Sequence, residues 1–394
     1  MDQISTTLQD LINMKKLEGM RLVAGQQGLD HEVTTCCILD YEYDPEFKNK
    51  FTYTNFRPGM LLLTSFTYAK DREYLISDAI KQLIATGISG LAIKNVYHLR
   101  IPDSTLRYAD TRSFPIFMID DPSRFVEPII YSIHEGIRIR QELHTQKLMI
   151  NTILRLPLGQ QEEIARAYKL YPMMGRYYLA YYFRMDEEIS PDAWTQADAI
   201  ARAGKKCMIY SYRSGALLLC TVEIPDIGEA HKECEPLVAQ LVSVFPPCMM
   251  GLSELHYSPV ELRDAIEESM RASIIRREPG LMRYADMGSY QIMFCALSDK
   301  HMRDYSERIL APVFDYDVQN EGRLQKTLFG LVECKGNLRA LSEKLGQHEN
   351  TLRQRLARIE ALTGLDFRNT ADYEELSLAV KIRNCLKWQE EIED

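Results

Sequence analysis

The stretch GNLRALSEKLGQHENTLRQRLARIEALTG, residues 336 to 364, decides how the carboxy-terminal part of this chain folds. Gly346 separates two apolar stripes and is suited to end the first of two helices. Two short helices joined by a tight glycine turn make a helix-turn-helix. The two stripes have helical spacing and consist of Leu338, Leu341 and Leu345, then Leu352, Leu356, Ile359 and Leu362.

The outward face of the second helix carries side chains that suit DNA recognition. With Leu352 toward the core, a turn of about 100° per residue places Asn350 and Gln354 outward, with Arg353 and Arg358 beside them. Asn and Gln can bond adenine through two hydrogen bonds in the major groove, and Arg can bond guanine or phosphate. We therefore expect the two amides to read bases and the arginines, Arg355 included, to hold phosphates.

Charge is distributed unevenly along the chain. Residues 335 to 358 contain six Lys or Arg and two Glu, a net charge of +4, whereas the whole chain carries −9. A local positive patch on a negative protein is what a DNA-docking face requires. One alternative stays open, a solvated three-helix bundle that binds no DNA, because the same shape occurs in proteins of other function.

Composition sets the broad class of protein. A chain of 394 residues with 46% hydrophobic and 26% charged residues predicts a globular protein of two or three domains. The nine cysteines are scattered and never spaced as C-x-x-C, which argues against a disulfide framework or a zinc knuckle. No signal peptide or membrane-spanning run is evident, so we expect a cytoplasmic protein.

The amino-terminal part, residues 1 to 124, alternates strand-like and helix-like segments. Residues 71 to 87 have a helical period that starts at an Asp and stops at a Gly. Strand, helix and strand in succession predict right-handed parallel crossovers and hence an α/β domain. The expected strands lie in residues 19 to 39, 59 to 66, 88 to 95 and 114 to 120.

Residues 125 to 156 read as one long connecting or dimer-forming helix, and the alternative is two helices with a loop near Gly136. Next, residues 157 to 310 predict an α+β domain with a mostly antiparallel sheet. Its segment 207 to 222 is a hairpin turning at Arg213 to Gly215, and Ser258 with Glu261 starts a helix. We expect a linker at residues 310 to 320 and a helical DNA-binding domain at 321 to 390.

The carboxy-terminal block resembles the helix-turn-helix domain of PucR-family transcriptional regulators, whose hallmark is similar to H-R-N-T-L-x-x-R-L followed by I-E-x-L-T-G-L-D. The matching residues are His348, Asn350, Thr351, Leu352, Arg355 and Leu356, then Ile359 to Asp366. This resemblance adds His348 and Thr351 to the expected DNA-binding residues. Segments such as RPGMLLLTSF, residues 57 to 66, resemble the amino-terminal domain of that family, and GLSELHYSPVELRDAIEESMRA, residues 251 to 272, resembles its degenerate GGDEF-like middle domain.

One position departs from the PucR pattern. Glu349 stands where the family usually has Arg, and a carboxylate there does not contact phosphate favourably. In the first turn of a helix Glu349 gains from the helix dipole, so its role is structural, or it rejects wrong DNA by repulsion.

Enzyme motifs are lacking. The hairpin SYRSGALLLC, residues 211 to 220, has one Gly and no acid, so it does not supply the metal and phosphate ligands of a GGDEF cyclase. His231 and Cys234 have a metal-compatible helical spacing, but two ligands do not make a site. We expect no catalytic residue, no metal and no cofactor.

Polar residues at predicted strand ends of the amino-terminal domain are candidate effector ligands, because ligands of open α/β sheets bind at the carboxyl ends of strands. They are Thr64, Ser65, Thr67 and Lys94. For each residue taken singly, a role in capping the following loop is an equal alternative.

Taken together, these features indicate a multidomain α/β transcriptional regulator that binds operator DNA as a homodimer or higher homo-oligomer and senses a small molecule. Resemblance to the PucR family implies control of purine or related catabolism. Two alternatives of other classes stay open: an enzyme that uses the amino-terminal domain, and a protein-interaction module that has lost DNA binding.

Overall fold

The computed structural model describes residues 6–47, 56–70, 72–155, 159–204, 206–318 and 323–393. The chain packs as two units, residues 1–150 and 151–394. The strands are β1 Thr6–Thr7, β2 Arg21–Ala24, β3 Glu32–Val33, β4 Thr35–Ile38, β5 Met60–Thr64, β6 Gly90–Lys94, β7 Ile116–Ile119, β8 Tyr177–Met185, β9 Cys207–Tyr212, β10 Gly215–Val222, β11 Cys248–Leu252 and β12 Gly280–Arg283. The helices are α1 Leu8–Asn13, α2 Tyr74–Thr86, α3 Asp103–Thr111, α4 Val126–Arg155, α5 Gln160–Leu170, α6 Pro191–Ala203, α7 Ile227–Val244, α8 Leu262–Ile275, α9 Tyr290–Ala296, α10 Lys300–Val318, α11 Arg323–Glu333, α12 Leu338–Leu345, α13 Glu349–Thr363 and α14 Thr370–Glu393.

The first unit is a sheet covered on both faces. Its order is β2-β7-β6-β5-β4, with β4 to β7 parallel and β2 antiparallel to β7. Side chains alternate across β5: Leu62 packs in the core that includes α2, whereas Leu61 and Leu63 pack in the core that includes α1 and the start of α4. The predicted α/β fold is confirmed.

Helix α4 is continuous for 30 residues, about 45 Å at 1.5 Å per residue. The alternative of a loop near Gly136 is wrong. A Cβ on Gly136 would lie only 2.8 Å from Leu11 of α1 and 2.9 Å from Lys16, so glycine is needed here for the close approach of α1 and the segment that follows it. The function of α4 as a connector stays a prediction.

The second unit contains a five-stranded sheet in the order β12-β11-β8-β10-β9. Its β8, β9, β10 and β11 pair antiparallel, which confirms the predicted mostly antiparallel sheet, and β12 joins β11 in parallel. The β9–β10 hairpin pairs Tyr212 with Gly215, and its turn is Arg213 with Ser214. Ser258 and Glu261 form the expected capping box before α8.

The carboxy-terminal helices α10 to α14 share one apolar core that includes Leu310, Leu328, Leu341, Leu352 and Val380. The predicted linker at residues 310 to 320 is wrong over 310 to 318, because α10 continues to Val318 in spite of Pro312. Residues 319 and 320 lie outside the described residues. Within the described ranges, no helix is both long and apolar enough to cross a membrane.

Helix α14 contributes to two cores of the second unit. Leu376, Ala379 and Val380 pack among α10 to α13. Farther along, Ile382, Cys385 and Trp388 pack with Ala272 and Ile274 of α8 and with Met293 and Phe294 of α9. The last helix therefore joins the helix-turn-helix segment to the sheet-containing part of this unit.

Candidate nucleic-acid interface

The two helices of the helix-turn-helix have well-defined ends. Asn337 is the N-cap of α12, and its side chain accepts a hydrogen bond from the backbone N–H of Ala340 at 3.1 Å. Gly346 is the C-cap of α12 and has φ +61°. The Ser342 hydroxyl donates to the carbonyl of Gln347 at 2.6 Å and so closes the turn. The predicted glycine turn is present, and it directs the chain into α13.

Helix α13 has one buried and one exposed face. Leu352, Leu356 and Ile359 are at most 1% exposed and belong to the helical core. Asn350 and Gln354 are exposed, as the helical wheel predicts. They lie four residues apart, so they occupy the same side of the helix on successive turns. Their contact with DNA stays a prediction.

The three arginines of α13 have different surroundings. Arg353 is exposed and lies 3.5 Å from Glu349 one turn earlier. Arg358 is exposed, and its guanidinium lies 4.9 Å from the ring centroid of Tyr316 on α10. Arg355 is half-buried and donates to the Thr327 hydroxyl of α11 at 3.4 Å. Arg355 therefore holds α13 against α11, whereas Arg353 and Arg358 face solvent.

The two residues added by the family resemblance take positions at the start of α13. His348 is the N-cap, and its Nδ1 accepts a hydrogen bond from the backbone N–H of Asn350 at 3.2 Å. Thr351 is half-buried. Glu349 occupies the first turn, where its negative charge interacts favourably with the partial positive charge of the helix end. The capping role of His348 was not evident from composition or spacing.

Acidic partners offset part of the positive charge around the helix-turn-helix. Arg339 lies 3.4 Å from Glu343, and Lys344 pairs with Glu333 of α11. The hydrogen bond with Glu333 raises the pKa of Lys344. Three of the six basic residues between 335 and 358 thus have an acidic neighbour. Glu343 and Glu349 are already included in the net charge of +4, and Glu333 of α11 lowers the local positive charge further.

The four candidate effector residues lie where the sequence placed them, at the carboxyl edge of the parallel strands of the first unit. Thr64 ends β5, is buried, and its hydroxyl accepts from the backbone N–H of Phe66 at 3.0 Å. The hydroxyls of Ser65 and Thr67 lie 3.0 Å apart. Lys94 ends β6. Thr64 therefore stabilises its own turn, and the described contacts bring Ser65 and Thr67, but not all four residues, together.

A cavity of about 430 Å³ lies at the opposite edge of this sheet. It is bordered by residues that precede the strands, among them Thr34, Gly59, Ser89 and Phe114. The sequence-based prediction placed the effector at the carboxyl edge because ligands of open α/β sheets usually bind there. That rule does not predict where the surface forms a cavity, so this cavity was not predicted.

His231 and Cys234 are engaged in the core of the second unit. The Nδ1 atom of His231 lies 2.9 Å from the hydroxyl of Tyr181, and Cys234 is buried. Burial lowers the pKa of His231. Over the part of the chain that the structure describes, no group of three His, Cys, Asp or Glu side chains could hold a metal ion.

Comparison with known proteins identifies two regions. Residues 10–137 match the model of the purine catabolism regulatory protein-like family, and residues 324–382 match that of the PucR C-terminal helix-turn-helix domain. The chain is similar to the purine catabolism regulatory protein of Bacillus subtilis (strain 168), with 25% identity over 37% of this chain and 27% of the relative. It is also similar to the DNA-binding transcriptional activator AdeR of the same organism, with 25% identity over 26% of this chain and 25% of the relative.

Each alignment thus spans about a quarter of the length of the curated relative. Among solved structures, a regulator of polyketide synthase expression from Bifidobacterium adolescentis aligns with 60% of this chain and 96% of its own, at 16% identity. The TM-score of 0.28 is too low to establish a shared fold. The two family models match the α/β sheet unit and the helix-turn-helix segment just described, so the chain carries a PucR-type amino-terminal region and a PucR C-terminal helix-turn-helix domain.

Proposed function

We propose that this protein is a transcriptional regulator that binds operator DNA through α13. The observation that carries the proposal is the exposed pair Asn350 and Gln354 on one side of a capped helix within a helix-turn-helix. Arg353 and Arg358 flank the pair and supply phosphate contacts. The names of the two curated relatives, a purine catabolism regulator and a DNA-binding activator, support the same function.

The proposal includes a small-molecule effector in the first unit and control of a purine or related catabolic operon. Operators with two half-sites require two reading heads, so the protein would act as a homodimer or higher homo-oligomer. Helix α4 begins in residues of the first unit and ends in residues of the second. Effector binding would shift the population between two arrangements that place the reading heads differently.

The decisive experiment is sequencing of genomic fragments captured by the full-length protein, followed by titration of the recovered operator. Asn350→Ala and Gln354→Ala should each weaken operator binding by about 1 to 3 kcal/mol and leave binding to random DNA nearly unchanged. Circular dichroism confirms that each variant is folded. If both folded variants bound the operator as tightly as the parent, α13 would not read bases through this face.

Leu352→Ala is the matched control for folding. Its side chain is fully buried, so truncation should destabilise the helical core by about 2 to 5 kcal/mol. Loss of DNA binding by this variant would follow from loss of structure, and dichroism would show it. Base recognition and folding can thus be tested separately on one helix.

Effector binding is tested by a thermal-shift screen of purines and related catabolites. At 100 times its dissociation constant, a ligand stabilises the protein by about 2.7 kcal/mol. Substitution of Ser65 and Thr67 by Ala should abolish the shift caused by an effector bound at the carboxyl edge. A compound whose shift is unchanged in this variant binds elsewhere.

An interaction module is the second candidate function. It is favoured by the pairing of Arg353 with Glu349 and of Lys344 with Glu333, which leaves less charge for phosphates. An electrophoretic mobility-shift assay distinguishes the two functions. A regulator retards genomic fragments in a salt-dependent way, whereas an interaction module does not.

A further inference from the structure

A second cavity, of about 520 Å³, lies within the second unit. Four elements border it: the end of α4, the β9–β10 turn, α8 and α14. Its polar lining consists of Arg155, Arg213, Glu267, Arg271 and Gln389. Volumes of 300 to 1,000 Å³, roughly, are typical of small-molecule sites, so this cavity has the size for a metabolite.

The lining is positively charged. Arg271 lies 2.7 Å from Glu267, which also accepts from Arg263 at 2.9 Å. Arg155 and Arg213, in contrast, form no ion pair with any acid among the residues that the structure describes. Two guanidinium groups without a counter-charge at one cavity attract an anion.

Arg213 has the most unusual environment of the set. Its Nη1 atom is buried and, among the described residues, has no hydrogen-bond acceptor. A buried donor without an acceptor is unfavourable, and an oxyanion in the cavity would supply the acceptor. The residue also has φ +52° in the hairpin turn, a conformation that is uncommon for residues other than glycine.

Tyr212, which precedes Arg213, fixes the orientation of this turn. The guanidinium of Arg213 lies 5.3 Å from the ring centroid of Tyr212. The Tyr212 hydroxyl in turn donates to Asn151 Oδ1 at 2.6 Å, and Asn151 is one turn before Arg155 on α4. The elements that carry the two arginines are thus fastened together without a ligand, which lowers the entropic cost of binding.

We propose that this cavity binds a small dianion with two oxyanion groups, one on Arg155 and one on Arg213. Guanidinium groups form paired hydrogen bonds with both phosphate and carboxylate, so the two chemistries share the site. Arg155 also offsets the partial negative charge of the carboxyl end of α4. The site is separate from the effector edge of the first unit and does not depend on DNA binding.

Calorimetric titration of the full-length protein tests the site, with inorganic pyrophosphate and succinate as separate probes. We expect saturable binding of at least one probe, and a loss of about tenfold or more in affinity for Arg155→Gln and for Arg213→Gln. Gln keeps much of the side-chain length, and at position 213 it must adopt the same positive φ as Arg. Pyrophosphate binding alone would identify a phosphate ligand, and succinate binding alone a carboxylate ligand.

The matched control is Arg202→Gln, because Arg202 is exposed on α6 and paired with Asp198 at 2.7 Å. The affinity of the Arg202→Gln variant for the probe should stay within about twofold of that of the parent. A loss of affinity equal to that of Arg213→Gln would indicate a general effect of protein charge and would contradict the proposed site. Absence of saturable binding by the parent up to about 10 mM of both probes would also overturn it. Thermal melting of each variant without ligand confirms that it is folded.

Discussion

Arg353 and Arg355 are two residues apart on α13, yet their contacts predict different consequences of substitution. Arg353→Ala removes an exposed charge paired with Glu349, so stability should change by less than about 1 kcal/mol. If Arg353 contacts a phosphate, the slope of log binding constant against log salt concentration should decrease in magnitude by about one.

Arg355→Ala removes the hydrogen bond to the buried Thr327 hydroxyl, so it should lower the free energy of unfolding by about 0.5 to 1.5 kcal/mol. For the Arg355→Ala variant, the slope of log binding constant against log salt concentration should stay near that of the parent. Urea unfolding and DNA titration at several salt concentrations measure both variants. Equal effects of the two substitutions on salt dependence would contradict the distinction.

His256 is a buried histidine between two glutamates of the second unit. Its Nε2 lies 2.9 Å from Glu268, and its Nδ1 lies 3.5 Å from Glu261. Burial lowers the pKa of His256, but the hydrogen bond and charge of Glu268, with the charge of Glu261, outweigh burial, so its pKa is raised. The folded state therefore binds the proton more tightly than the unfolded state does.

The contribution of protonated His256 to stability is fully present below the unfolded pKa of about 6.5, and it is lost as pH rises through the folded pKa. Burial also raises the pKa of neighbouring Glu254 and Asp264, which acts in the same direction. His256→Gln should lower the free energy of unfolding more at pH 6 than at pH 9. The exposed His301→Gln serves as control and should show no such difference.

At the scale of elements, the junction of α10 and α11 depends on one carboxylate. Asp317 is 4% exposed, and its two oxygens accept from the backbone N–H groups of Leu324 at 3.2 Å and Gln325 at 2.7 Å. Because these N–H groups belong to the first turn of α11, Asp317 acts as a cap supplied from another helix.

Asp317→Ala should lower the free energy of unfolding by about 1 to 2 kcal/mol, since both N–H groups lose their acceptor. Asp317→Asn keeps one acceptor oxygen and should cost less. Denaturant unfolding followed by circular dichroism measures both variants. A loss in the Asn variant as large as in the Ala variant would show that charge, and not capping, is decisive.

The sequence predicted elements where periodicity was strong and failed where proline interrupted it. The α/β sheet, α4 and the helix-turn-helix all follow from apolar spacing and glycine stops. Pro312 suggested a linker, although Ile309, Leu310, Val313 and Asp317 are buried at helical spacing. That spacing could have revealed α10, and with it Tyr316 beneath Arg358. Contacts between elements, such as Arg355 with Thr327, have no signature in local sequence.

At the scale of the whole molecule, the β9–β10 hairpin argues against nucleotide cyclisation. Its turn consists of Arg213 and Ser214, and it offers no carboxylate for a divalent metal ion. Incubation of the pure protein with GTP and Mg²⁺ or Mn²⁺ should therefore yield no cyclic dinucleotide by chromatography. Any cyclic dinucleotide formed by the pure protein would contradict this expectation.

The double attachment of α14 has a consequence for recombination between regulators. A crossover that transplants residues 323 to 393 would carry Ile382, Cys385 and Trp388 away from their partners on α8 and α9. Exposure of such side chains to water costs on the order of 1.5 to 3 kcal/mol for each large one. Hybrid proteins built at this junction should therefore be prone to aggregation, whereas a crossover ahead of α8 would keep the partners together.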